Sequence, residues 1–131
     1  MLLLDYLKSF FPIDEELEMF FGSISETKEY RKGAFIFVPD TYLKHIYFVE
    51  SGFTRVFYNK DGKDITHYFY GENNFITGIE SVFYEKPSLF GLQALAHSRV
   101  TLLPFSPIRE MSEKSITINH IIKKMLLDNL I

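Results

Sequence analysis

Cysteine is absent from the 131 residues. That excludes disulfides, thiol catalysis, cysteine-ligated zinc and iron–sulfur clusters. No apolar run is long enough to span a bilayer, so no membrane partner is expected. Met1-Leu2-Leu3-Leu4 is too short for the apolar region of a secretory signal and meets Asp5 and Lys8 at once. The expected location is therefore cytoplasmic. Positive charge is not in excess either. The net charge is −3, so no overall basic field draws the chain to nucleic acid or anionic lipid.

The usual signatures of catalysis are missing as well. His45, His67, His97 and His120 are not paired at metal-ligand spacing, and there is no Gly-x-Ser-x-Gly elbow. Phosphate loops of the Walker or dinucleotide type do not occur. The sequence thus predicts no enzyme, no metal and no cofactor. The enzyme-class alternative is a small cupin-like metal site on His45, His67 and His97.

What is present suits one folded domain. Apolar residues make up 47% of the chain, enough to fill a sizeable core. Leu2 to Phe11 reads as a short amphipathic helix stopped by Pro12. Asp14 is placed to cap a second helix, with Glu15 and Glu16 favoured at its positive end. Leu17, Phe20, Phe21 and Ile24 fall on one face of it, and Gly22 suggests an early stop.

From Ser25 the period becomes two. Strands are predicted at 26–30, 34–38, 46–50, 54–59 and 64–70, then at 91–96 and 100–105. Lys32-Gly33, Pro39-Asp40, Ser51-Gly52, Asp61-Gly62 and Gly71-Glu72 punctuate them. Asn59 to Lys63 is a hairpin signal. Short strands with regular turns predict a small sandwich or rolled barrel. Phe75 to Phe90 breaks the alternation with a glycine, a short helical turn and a proline, which makes it the expected place for a pocket. Tyr68, Phe69, Tyr70 and Phe75 are expected mainly in the core, with one or two lining that pocket.

Ser106-Pro107 fits a helix start. Ser115 or Thr117 is placed to cap a last helix running to Ile131. Its apolar stripe, with Ile118, Ile121, Ile122, Met125, Leu126, Leu127, Leu130 and Ile131, is wider than one sheet requires. A homodimer contact through Ile118, Ile121, Ile122, Met125 and Leu126 is expected.

The run Arg31-Lys32-Gly33-Ala34-Phe35-Ile36-Phe37, then Ile46-Tyr47-Phe48-Val49-Glu50-Ser51-Gly52, then Asp61-Gly62-Lys63-Asp64 and Asn74-Phe75-Ile76 resembles the cyclic-nucleotide-binding domain. More narrowly it is similar to the sensor domain of the catabolite-activator and fumarate–nitrate-regulator superfamily of bacterial transcription regulators. The resemblance implies a mostly β fold with flanking helices, a double-stranded β-helix of jelly-roll type. It divides the chain into N-terminal helices (1–24), a β-roll (25–105) and C-terminal helices (106–131), of which the last serves dimerisation. It places the phosphate-binding cassette at Phe75 to Phe90 and the ligand contacts at Thr77, Gly78, Ile79, Glu80, Ser88 and Leu89.

In that family a Gly-Glu pair opens the cassette, and an arginine followed by Ser or Thr closes it on the cyclic phosphate. Here Thr77-Gly78-Ile79-Glu80 stands at the opening and Lys86-Pro87-Ser88-Leu89-Phe90 at the close, with no arginine between Arg55 and Arg99. Lys86 would be a point charge without the bidentate fork. The expectation is a degenerate cassette that does not take cyclic AMP in the usual way and serves an unidentified small molecule. The alternative is a ligand-free dimerisation or protein-interaction module. No helix-turn-helix is legible in the chain, so contact with DNA would need a domain that this sequence does not contain.

Overall fold

A computed structural model describes residues 1–128. Eight strands and five helices form among them, and the expected β-roll with flanking helices is what they build. Helix α1 (Leu3–Lys8) and α2 (Glu15–Ile24) come first. Strands β1 (Glu26–Tyr30), β2 (Phe35–Phe37), β3 (His45–Ser51), β4 (Thr54–Lys60), β5 (Lys63–Tyr70) and β6 (Phe75–Ile76) follow. Helix α3 (Ile79–Tyr84) then precedes β7 (Gly91–Ala94) and β8 (Ser98–Pro104), and α4 (Phe105–Ser112) and α5 (Ile116–Leu127) close the described chain.

Two antiparallel four-stranded sheets stack on each other. One has the order β1-β8-β3-β6, the other β2-β7-β4-β5. The first sheet is covered on both faces. Along β3, Tyr47 and Val49 point into the roll while Ile46 and Phe48 point to the helices. The outer face packs on Leu7, Phe21, Ile108, Ile118, Ile121 and Met125, all fully buried. Each such side chain contributes about 1.5–3 kcal/mol of burial free energy. Among the described residues, no buried helix side chain belongs to the cluster of the second sheet. Most of β5 is exposed.

Local chemistry explains the element ends. The Asp14 carboxylate accepts from the Leu17 amide at 2.9 Å, capping α2 as expected. The helix nevertheless runs through Gly22 to Ile24, because its apolar face continues to a partly buried Ile24. Asp61 and Gly62 both have positive φ and form the two-residue hairpin turn. Gly52 has φ +106°, and a Cβ there would run into Ser98, so the turn tolerates no side chain. Helix α4 begins at Phe105 with Pro104 before it, not at a Ser106 cap. Pro107 sits in its first turn, where its missing N–H is not needed. Ser115 caps α5, accepting from Ile118 N at 3.2 Å.

The dimer reading of α5 needs correction. Ile118, Ile121 and Met125 are fully buried in the chain's own core against α1 and α2. They have no surface left for a second chain. Ile122 and Leu126 are half-buried, and Ile116 and Leu127 are exposed. The stripe looked too wide because two N-terminal helices also lean on it. Leu130 and Ile131, counted in that stripe, lie outside the described residues.

Candidate ligand pocket

β6 and α3 put the sequence-predicted cassette on one wall of the roll. Thr77, Gly78, Ile79, Glu80, Ser88 and Leu89 all line a single cavity of about 200 Å³. Phe37, Val56, Tyr70 and Ile76 form its buried floor, and His67 and Phe90 stand beside the mouth. Of the four aromatics expected mainly in the core, Phe75 joins the helix-side core and Tyr70 lines the cavity. Tyr68 and Phe69 are exposed, a correction: Phe69 points away from the face that Tyr70 buries, and Tyr68 lies beside Tyr70 on that face but reaches solvent.

Short contacts fix the wall in place. A Cβ on Gly78 would lie 2.6 Å from Leu43 Cδ1, so a side chain there would push into the loop before β3. The Leu43 amide donates to Ser81 Oγ at 2.6 Å, tying that loop to α3. Ser88 N donates to Thr41 O at 2.8 Å, and Asp40 N donates to Ser88 O at 2.7 Å. The Ser88 hydroxyl donates to Phe90 O at 2.8 Å and accepts from Phe90 N at 3.2 Å. Sequence reading made Ser88 a ligand contact. The structure gives its hydroxyl the job of shaping the turn that aims Phe90. The Phe90 ring meets His67 at 5.1 Å and Tyr58 edge-on at 6.2 Å.

The lining carries no lysine or arginine. Arg55, the last arginine before the cassette, is committed elsewhere. Its Nε donates to Gln93 Oε1 at 2.8 Å, its Nη1 to Thr66 Oγ1 at 3.0 Å, and Nη2 lies 3.7 Å from Asp64 Oδ2. Lys86 is exposed and not in the lining. Burial raises the Tyr70 phenol above its ordinary pKa, with Tyr68 adding to the shift, so Tyr70 faces the cavity uncharged.

On its far side α3 touches the C-terminal helices. Phe83 meets Phe105, the first residue of α4, with ring centroids 4.7 Å apart. A six-residue helix therefore has one face on the cavity and another on the element leading into α5.

The histidines do not converge. His45 lies near Tyr47, His67 against Phe90, and His97 beside Glu29. No three His, Cys, Asp or Glu side chains among the described residues gather as a metal cage. No helix among those residues is long and apolar enough to cross a membrane.

One polar residue escaped sequence reading. Glu50 in β3 is buried, accepts from Arg99 Nε at 3.2 Å and from the Leu3 amide at 3.3 Å, and so pins α1 to the first sheet. Its only sequence signal was an acid inside a strongly apolar strand.

Known proteins share this architecture. The catabolite activator protein of Thermus thermophilus matches 93% of the chain at 20% identity with a TM-score of 0.74. The chain spans 56% of the length of that protein. The sensor domain of the transcriptional regulator DNR from Pseudomonas aeruginosa matches 92% of the chain and 80% of its own length, at 15% identity and a TM-score of 0.75. A CooA mutant from Carboxydothermus hydrogenoformans matches 98% of the chain and 80% of its own length, at 18% identity and a TM-score of 0.71. No curated protein matches the sequence. The family model of the cyclic nucleotide-binding domain matches residues 27–115, well over half of the chain, from β1 to the cap of α5. On that match, the chain belongs to the cyclic nucleotide-binding domain family.

Proposed function

We propose that the chain is the ligand-sensing, dimerising part of a bacterial transcription regulator, without catalytic activity of its own. Its cassette does not hold cyclic AMP in the usual way. The observation that carries this reading is the cavity itself. All six cassette residues line one partly open cavity, and the described residues of its lining include no lysine or arginine to pair with a phosphate, His67 being its one basic side chain. An unpaired, partly desolvated phosphate is costly. The DNR structure, a sensor domain of a transcriptional regulator, lends support to the sensing role.

The mechanism is a population shift. A ligand that packs better against one position of α3 favours that position, and the Phe83–Phe105 contact passes the bias to α4 and α5. Dimerisation would use the half-buried Ile122 and Leu126 with the exposed Leu127. Contact with DNA would belong to a separate helix-turn-helix domain.

The test is a thermal titration with cyclic AMP, cyclic GMP and a metabolite panel. A ligand that binds only the folded chain raises Tm. The expected result is no rise with cyclic AMP and a rise with at least one metabolite. A flat response across the panel would favour the second reading, a ligand-free interaction module, which the engagement of the Ser88 hydroxyl by Phe90 also favours. For the dimer, Leu126→Asp puts a charge into the apolar seam and is expected to shift the chain to monomer in light scattering. A wild-type monomer would remove dimerisation from the proposal.

A further inference from the structure

The cavity has a polarity that runs from floor to mouth. Phe37, Val56, Tyr70 and Ile76 make the floor, all buried and without formal charge. The mouth carries Glu80, whose carboxylate is exposed and has no ion-pair partner among the described residues. Among the described residues of the lining, Glu80 is the only Asp, Glu, Lys or Arg, and His67 is the one histidine. The hydroxyls of Ser81 and Ser88 are already taken by the Leu43 amide and by the Phe90 backbone.

We infer that this cavity takes a small, phosphate-free ring compound bearing an amine, its ring among Tyr70, Ile76 and Phe90 and its ammonium group at Glu80. The inference rests on the sensing role proposed above and narrows its ligand. An anion entering here would shed hydration, approach a carboxylate and meet no lysine or arginine, with only the exposed His67 imidazole on the basic side. A neutral ring would gain burial alone. An organic cation gains burial, the carboxylate, and the faces of the aromatic walls. The volume of about 200 Å³ admits a one- or two-ring molecule.

A charge series on one ring tests this with the full chain: 2-phenylethylamine, 2-phenylethanol and 3-phenylpropionate, followed by calorimetry and by the methyl resonances of Ile76 and Val56. The amine should bind tightest and shift those methyls. The alcohol should be about threefold to fivefold weaker, as suits an ion pair at an exposed mouth, and the carboxylate weaker again. Glu80→Gln should bring the amine to the level of the alcohol and leave the alcohol where it was. Glu80 is exposed, so this variant is expected to fold. Binding of the carboxylate or of cyclic AMP as tight as the amine would overturn the inference, as would an amine preference that survives Glu80→Gln. Silence from all three probes overturns it too. If the metabolite panel still raises Tm in that case, the sensing role stands and only the ligand class falls. If the panel is also flat, both fall.

Discussion

The two sides of the first sheet follow different rules. On the helix side, Phe48, Phe75, Ile121 and Met125 are fully buried and interlock with α1, α2, α4 and α5. Inside the roll, Val49 and Val100 of this sheet are fully buried too, but Ile76 faces a cavity across from Phe37, Val56 and Tyr70 of the second sheet. One side is built of interlocked helix and strand side chains, and the other borders a cavity. The difference separates two tasks within a small domain: the helix side supplies stability, and the roll interior supplies room.

The strongest test of that contrast is a pair of truncations. Phe48→Ala removes a ring that touches Tyr6 and Phe75 and should cost about 3–5 kcal/mol in urea unfolding. Phe37→Ala enlarges a space that already exists, beside walls that can move, and should cost less than about 3 kcal/mol. Equal losses would mean that the interior of the roll is as tightly packed as the helix side.

A pH experiment sharpens the comparison from the inside. Burial pushes the Tyr47 phenol from 10.0 to about 12. The unfolded chain therefore releases this proton first, and folding stability is lost as pH rises from about 10 towards 12. The loss should reach about 2 kcal/mol at the upper end. Tyr47→Phe should flatten the alkaline limb of a denaturation series, and an unchanged limb would show that the phenol is not held in a dry place.

The smallest effect is expected at the cavity wall. Ser81→Ala leaves the buried Leu43 amide without its partner and should cost about 1–2 kcal/mol by thermal unfolding. It should also weaken any ligand that raises Tm, because α3 loses its tie to the loop before β3. A variant with lower Tm but unaltered ligand response would make Ser81 a plain structural residue.

Much of this frame was legible in the sequence because strand alternation and turn residues are local signals. The run 26–30 forms β1 as read, and Asp61-Gly62 turns the hairpin. β6 was missed because two residues cannot display a period. β2 is one residue shorter at each end than the alternation predicts, and a register shift between Phe35 and Phe37 makes it irregular. The six residues from Thr77 to Leu89 line one cavity, since one short segment carries them all. Hydrogen-bond use was not legible: nothing in Lys86-Pro87-Ser88-Leu89-Phe90 tells that the hydroxyl of Ser88 serves Phe90. Nor does an apolar helix reveal who covers it, which is why Ile118, Ile121 and Met125 were assigned to a partner and belong to the core.

β3 has a consequence for how the domain comes apart. Ile46 and Phe48 are anchored in one cluster, Tyr47 and Val49 in the other, so a single strand is a member of both. Losing β3 strips both clusters, so the two are expected to melt together. Unfolding is then one cooperative event, and the loosely filled pocket inherits the resilience of the helices behind it. A lesion at Phe21 or Met125, neither of which lines the cavity, is expected to be felt there as lost occupancy rather than as altered affinity.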